Sequence, residues 1–166
     1  GNGGNADVPA GPTAVNDGEI PHLVLVSDPD GGEVRLYIDG ELESTGGAPA
    51  IQSNDNPMMI GESPDARNRT WDGLIDDVAI WKRALSDEEI SAVQDAGLEN
   101  RSESLGAGMI AYWPLDEIQG EVTPDVINGY DLELTNLSAE DVVEGRIGNA
   151  FSFSNEKQTL LSRVHD

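Results

Sequence analysis

Trp71-Asp72-Gly73-Leu74-Ile75-Asp76-Asp77-Val78-Ala79-Ile80-Trp81 is the stretch that decides the fold. Its spacing predicts one long β-strand. One face would carry Trp71, Gly73, Ile75, Asp77, Ala79 and Trp81, the other Leu74, Asp76, Val78 and Ile80. Apolar residues on both faces predict a central strand buried on two sides. Asp76 and Asp77 are then anomalous, because a buried carboxylate requires a partner.

Beyond this stretch, Ser86-Asp87-Glu88-Glu89 reads as a capping box, with Ser86 as N-cap and Glu89 at the third helical position. Ile90 and Val93 give that helix one apolar side, and Gly97 ends it. Toward the N-terminus, His22-Leu23-Val24-Leu25-Val26 is an apolar run of strand length, followed by the turn-forming Asp28-Pro29-Asp30-Gly31-Gly32. Val34, Leu36 and Ile38 alternate with Arg35 and Tyr37 as in a half-buried strand. Asp39-Gly40 predicts a type I′ hairpin turn, and Leu42 continues the return strand. Pro57–Gly61 is a further brief strand, and residues 1–19 read as a loop or edge segment.

Residues 98–107 are polar and contain glycine, which marks a linker. After it, Met109–Trp113 is a strand stopped by Pro114. Asp125-Val126-Ile127-Asn128-Gly129 is a turn. Tyr130, Leu132 and Leu134 alternate with acids, Gly145–Phe153 alternates again, and Thr159–Val164 is a last strand. Many short strands with frequent turn signals and one short helix predict an all-β antiparallel sandwich.

The chain has 166 residues, 32 of them acidic and 9 basic, for a net charge of −23. A surface of that sign repels nucleic acid and anionic membranes. No apolar run approaches the roughly 18 residues that suggest a membrane span. The absence of cysteine excludes disulfides, thiolate metal sites and cysteine nucleophiles. Hard carboxylate oxygens suit calcium.

The pieces quoted from residues 22–90 resemble the C-terminal half of a laminin-G-like, concanavalin A-like jelly roll. Ile110-Ala-Tyr-Trp-Pro-Leu-Asp-Glu117, Asp125–Gly129 and Gly145-Arg-Ile-Gly-Asn-Ala-Phe-Ser-Phe153 resemble the N-terminal half of the same family. The chain thus divides into a segment at 1–19, a C-terminal half at 20–97, a linker at 98–107 and an N-terminal half at 108–166. The halves stand in reversed order and the middle of the family pattern is missing. The order fits a permuted sandwich, a window across two tandem domains, or a truncated product. A chain joined through 98–107 would lay Met109–Trp113 beside Trp71–Trp81. Missing strands would leave open edges, so pairing with a second copy or a domain swap is expected.

The resemblance implies an exported recognition module, extracellular or on a cell surface, that binds a polysaccharide or cell-surface glycan. The candidate ligand-binding residues are Trp71 and Tyr37, with Arg67, Asn68 and Arg69 in the adjacent loop. It also implies a structural calcium, for which Asp125, Asn128, Asp76 and Asp116 are the candidate ligands. A structural or adhesion module with a protein partner is the competing reading. A glycosidase of this fold would need two carboxylates flanking the scissile bond. Asp72, Asp76 and Asp77 lack the Glu-Asp-Glu alternation of the laminarinase-type pattern, so no catalytic residue is expected.

Overall fold

The computed structural model describes residues 11–15, 17–47, 56–63, 70–99 and 101–164. The chain forms two compact units. One contains Gly1–Ser53 with Trp81–Gly108, the other Asn54–Ile80 with Met109–Asp166.

The first unit contains a three-stranded antiparallel sheet of β1 (Leu23–Asp28), β2 (Glu33–Ile38) and β3 (Glu41–Gly47), in that order. Asp39 and Gly40 both take positive φ, 50° and 81°, which is the type I′ geometry expected of Asp-Gly between paired strands. β2 is half-buried along Glu33–Leu36 and buried on both faces at its end, Tyr37 and Ile38. Tyr37 is 2% exposed, and its hydroxyl donates to Asp87 Oδ1 at 2.6 Å. Arg35 Nη1 donates to Tyr37 Oη and to Asp87 Oδ1. The polar residues that alternation had placed outward therefore meet the start of the helix.

That helix, α1 (Asp87–Ala96), has the capping box its sequence predicts. Ser86 Oγ accepts from Glu89 N, and Glu89 Oε2 accepts from Ser86 N. Gly97 closes it at φ 66°. Ile90 and Val93 form its buried side. The segment read as a linker holds a single helical turn, α2 (Glu103–Gly106), capped by Ser102. Arg83 fastens this segment. Its Nη1 and Nη2 grip both Glu89 oxygens at 2.7 Å, Nε donates to Ala107 O, and Nη2 donates to Ser104 O. The guanidinium, and after it the Ser86 N–H, hold the Glu89 carboxyl below its usual range.

The second unit contains β4 (Met58–Ile60), β5 (Gly73–Ile75), β6 (Val78–Trp81) up to Ile80, β7 (Met109–Trp113), β8 (Val122–Thr123), β9 (Leu132–Thr135), β10 (Val142–Glu144), β11 (Asn149–Phe153) and β12 (Leu160–Arg163). Its sheets run β4-β12-β9-β8, β10-β11-β5 and β6-β7. The first two face one core of Trp113, Leu115, Leu132, Phe151, Phe153 and Leu161, with Ile60 and Ile75 packed against it. Trp113 anchors this core, and its Nε1 donates to Tyr130 O at 2.8 Å, so the one polar atom of the buried indole is satisfied. Strands from before residue 82 pair with strands from after residue 108. Leu161 faces Ile60, Phe151 faces Ile75, and β7 lies beside β6. The fold is an all-β, concanavalin A-like antiparallel sandwich.

The stretch 71–81 is not one strand. It is broken between β5 and β6 at Asp76 and Asp77, and Asp77 takes a positive φ of 51°. The two carboxylates are the cause. Asp76 turns to accept backbone N–H groups 70 residues away, and Asp77 Oδ1 accepts from Tyr112 Oη at 2.5 Å. A continuous strand would have left both without these partners.

Candidate functional site

Two polar surfaces of the second unit hold three of the residues singled out by sequence, Asp76, Asp116 and Trp71. The first is built around Asp76 and Asp116, the second around Trp71.

Asp76 Oδ2 accepts from Arg146 N at 2.9 Å and Ile147 N at 3.3 Å. Asp116 Oδ1 accepts from Asn149 N at 2.6 Å, and Asp116 O accepts from Asn149 Nδ2. Both carboxylates thus hold the turn 145–149. Gly145 makes this approach feasible, since a Cβ there would lie 2.6 Å from Asp76 Oδ2. Asp76 Oδ1 is buried with no hydrogen-bond partner. Burial, with the charge of Asp116 adding to it, raises the Asp76 carboxyl above its ordinary range, against the N–H groups of Ile147 and Arg146. A half-buried carboxylate with one enclosed, unpartnered oxygen beside a second carboxylate is the local environment a cation would relieve.

Asp125 and Asn128 build a different loop. Asp125 is buried and accepts four backbone N–H groups, from Tyr112, Ile127, Asn128 and Tyr130, at 2.8 to 3.0 Å. Burial pushes its carboxyl up, but the four donors outweigh burial and hold it below the usual range. Asn128 Nδ2 donates to Ile110 O. Asp125 therefore ties the 125–130 loop to β7 with its oxygens already engaged. Among the described residues, no three His, Cys, Asp or Glu side chains form a metal-ligating group. A calcium at Asp76 and Asp116 would accordingly need backbone carbonyl or amide oxygens to complete its six to eight ligands.

Trp71 is 44% exposed, and its indole is fixed by Nε1–H donation to Leu74 O at 3.2 Å. Its N–H donates to Gly61 O at 2.7 Å. Its chain neighbours Thr70 and Asp72 join a polar network. Thr70 Oγ1 hydrogen-bonds Asn155 Oδ1, Asp72 Oδ1 accepts from Asn155 N, and Gln158 Nε2 donates to Asn155 O. Asn136 Nδ2 reaches the carbonyls of Lys157 and Gln158. Asp72, Asn136, Asn155 and Gln158 are all exposed. Sequence reasoning missed the last three, because Asn155, in the connection between β11 and β12, meets Thr70 and Asp72 some 83 to 85 residues away, and Gln158 and Asn136 join through that same connection. Arg67, Asn68 and Arg69 lie outside the described residues. Tyr37 is enclosed in the first unit and offers no open ring face.

Comparison with known proteins agrees with this architecture. The chain is 25% identical over 123 residues to the rat protein named sushi, von Willebrand factor type A, EGF and pentraxin domain-containing protein 1, and 27% identical to its mouse counterpart. Each match covers 68% of this chain and 3% of the relative, so the chain corresponds to a small part of those proteins. No solved structure matches the chain significantly. The Laminin_G_3 family model, described as the concanavalin A-like lectin/glucanases superfamily, matches residues 1–91, more than half of the sequence. The chain belongs to that family.

Proposed function

We propose that the chain is a non-catalytic, extracellular recognition module that binds a polysaccharide or cell-surface glycan at the rim around Trp71. The observation that carries this reading is the fixed, half-exposed indole of Trp71, flanked in the chain by Thr70 and Asp72, whose side chains hydrogen-bond Asn155. Sugar rings present an apolar face to an aromatic surface and hydroxyls to amides and carboxylates. A site combining both at one rim suits that chemistry. The sequence places Arg67 and Arg69 within four residues of Trp71, cations that would favour an acidic or sulfated chain. Such modules bind carbohydrates or proteins, and a protein partner is the second reading. The choice of glycan rests on the rim's amide-rich composition. The lack of a paired-carboxylate pattern in the sequence supports a role without catalysis.

A structural calcium at Asp76 and Asp116 accompanies this proposal. It is supported by the partnerless Asp76 Oδ1. The ion would neutralise two carboxylates and stiffen the turn 145–149.

The test is thermal unfolding against a polysaccharide panel, with calcium and with EDTA. A ligand of the folded state raises the midpoint by mass action. A rise with one glycan class that disappears in Trp71→Ala supports the reading. No rise with any glycan, in a cooperatively folding sample, moves the assignment to a protein-binding module.

A further inference from the structure

We infer that β1 is a self-association strand, through which two copies of the chain pair antiparallel about a twofold axis at Leu25. The argument starts from the two edges of the β1-β2-β3 sheet. The β3 edge is guarded. Its pairing with β2 is interrupted by a bulge at Leu36/Tyr37, it carries Glu41 and Glu43, and Glu43 Oε1 accepts from Thr13 N at 2.8 Å. Bulges, charges and covering segments are the usual means of blocking edge-to-edge pairing.

Among the described residues, the β1 edge has no bulge and no covering segment, and its one charge, Asp28, stands at its end. Its register with β2 runs unbroken from Leu23 to Asp28, and β2 is its one neighbour among the described strands. Residues 22–27 contain no Asp, Glu, Lys, Arg or Pro, in a chain that is 25% charged. Leu23 and Leu25 project from one face, 50% and 57% exposed.

Backbone direction completes the case. His22 O accepts from Asp39 N, so the main-chain groups of His22 face β2. Strand alternation then turns those of Val24 and Val26 toward β2, and those of Leu23, Leu25 and Ser27 toward the open edge. A twofold centred on Leu25 opposes Leu25 to Leu25, Leu23 to Ser27 and Val24 to Val26. The three outward residues of each copy then exchange about six hydrogen bonds. The same register sets His22 of one copy opposite Asp28 of the other at both ends. Leu25 of each copy adjoins its twin and closes an apolar strip with Leu23. The contact is far smaller than a standard interface, so the dimer is weak and concentration-dependent. Repulsion between two acidic chains weakens it further at low salt and is screened at higher salt.

Sedimentation of the 166-residue chain over about micromolar to about millimolar concentrations, near 0.15 M salt, tests this. The expected result is a monomer–dimer equilibrium. It should be abolished by Leu25→Lys and by Ser27→Lys, both exposed positions, and kept by Leu42→Lys, which places the same charge on the guarded edge at a residue 52% exposed. Circular dichroism confirms that each variant is folded. A monomer across the whole range overturns the inference. So does a dimer that survives both β1 variants, or one that Leu42→Lys also abolishes.

Discussion

Asp76 and Asp116 grip opposite ends of one five-residue turn, Asp76 through the N–H groups of Arg146 and Ile147, Asp116 through that of Asn149. The two like charges converge there because each supplies an acceptor the turn requires. Burial, with their repulsion adding a smaller part, raises the Asp76 carboxyl.

Asp76→Asn keeps an oxygen for the turn and removes one charge. A carboxyl raised in the folded state contributes stability that is complete in acid and is lost as pH rises through its folded pKa. In EDTA at neutral pH the variant is therefore expected to unfold at or above the wild-type midpoint, with the difference vanishing in acid. In calcium the order should reverse, because only the wild type gains. Equal calcium stabilisation of both proteins would remove Asp76 from the proposed calcium site.

Asp125 has the opposite sign. A depressed carboxyl stabilises above its ordinary range, and that contribution is lost as pH falls through the folded pKa. Asp125→Ala leaves four N–H groups without their acceptor and should cost about 3 kcal/mol or more at neutral pH. The deficit should shrink in acid. Urea titrations at neutral and acid pH read both quantities, and a deficit independent of pH would contradict the assignment.

Ser86→Ala removes the acceptor for Glu89 N and should cost about 1 kcal/mol. Ser86→Asp, which retains a capping oxygen, should recover most of it. Chemical denaturation of the two variants measures the difference.

Trp71→Ala and Trp113→Ala separate surface from core. Trp113 is 1% exposed within the β7–β11 core, and its loss should cost about 3–5 kcal/mol. Trp71→Ala should leave the fold standing while eliminating the glycan-dependent midpoint shift. A Trp71 variant that still responds to the same glycan would place the ligand elsewhere.

Local chemistry was legible wherever its partners are near in sequence. The Asp39-Gly40 turn and the Ser86–Glu89 box could be read directly, since each is complete within four residues. The fold class followed from the density of such signals. The break at Asp76–Asp77 could not be read, because its causes, the turn 145–149 and Tyr112, lie 35 to 71 residues away. For the same reason the burial of Tyr37 was hidden, since Asp87 lies 50 residues further on. Asp125 and Asn128 were expected to serve as oxygen donors to an ion in a loop. The sequence did not disclose that the Asp125 oxygens serve the backbone and that the Asn128 amide donates to Ile110.

Because Ile60 faces Leu161 and Ile75 faces Phe151, the second unit has its sheets shared between two stretches of chain. Neither stretch contains a whole core, and each presents the other's missing strands. A nick within 98–107 would therefore yield complementary fragments, each with unpaired strands until it met the other. In that sense the chain is already a split protein, with its reassembly made intramolecular by the segment that Arg83 holds in place.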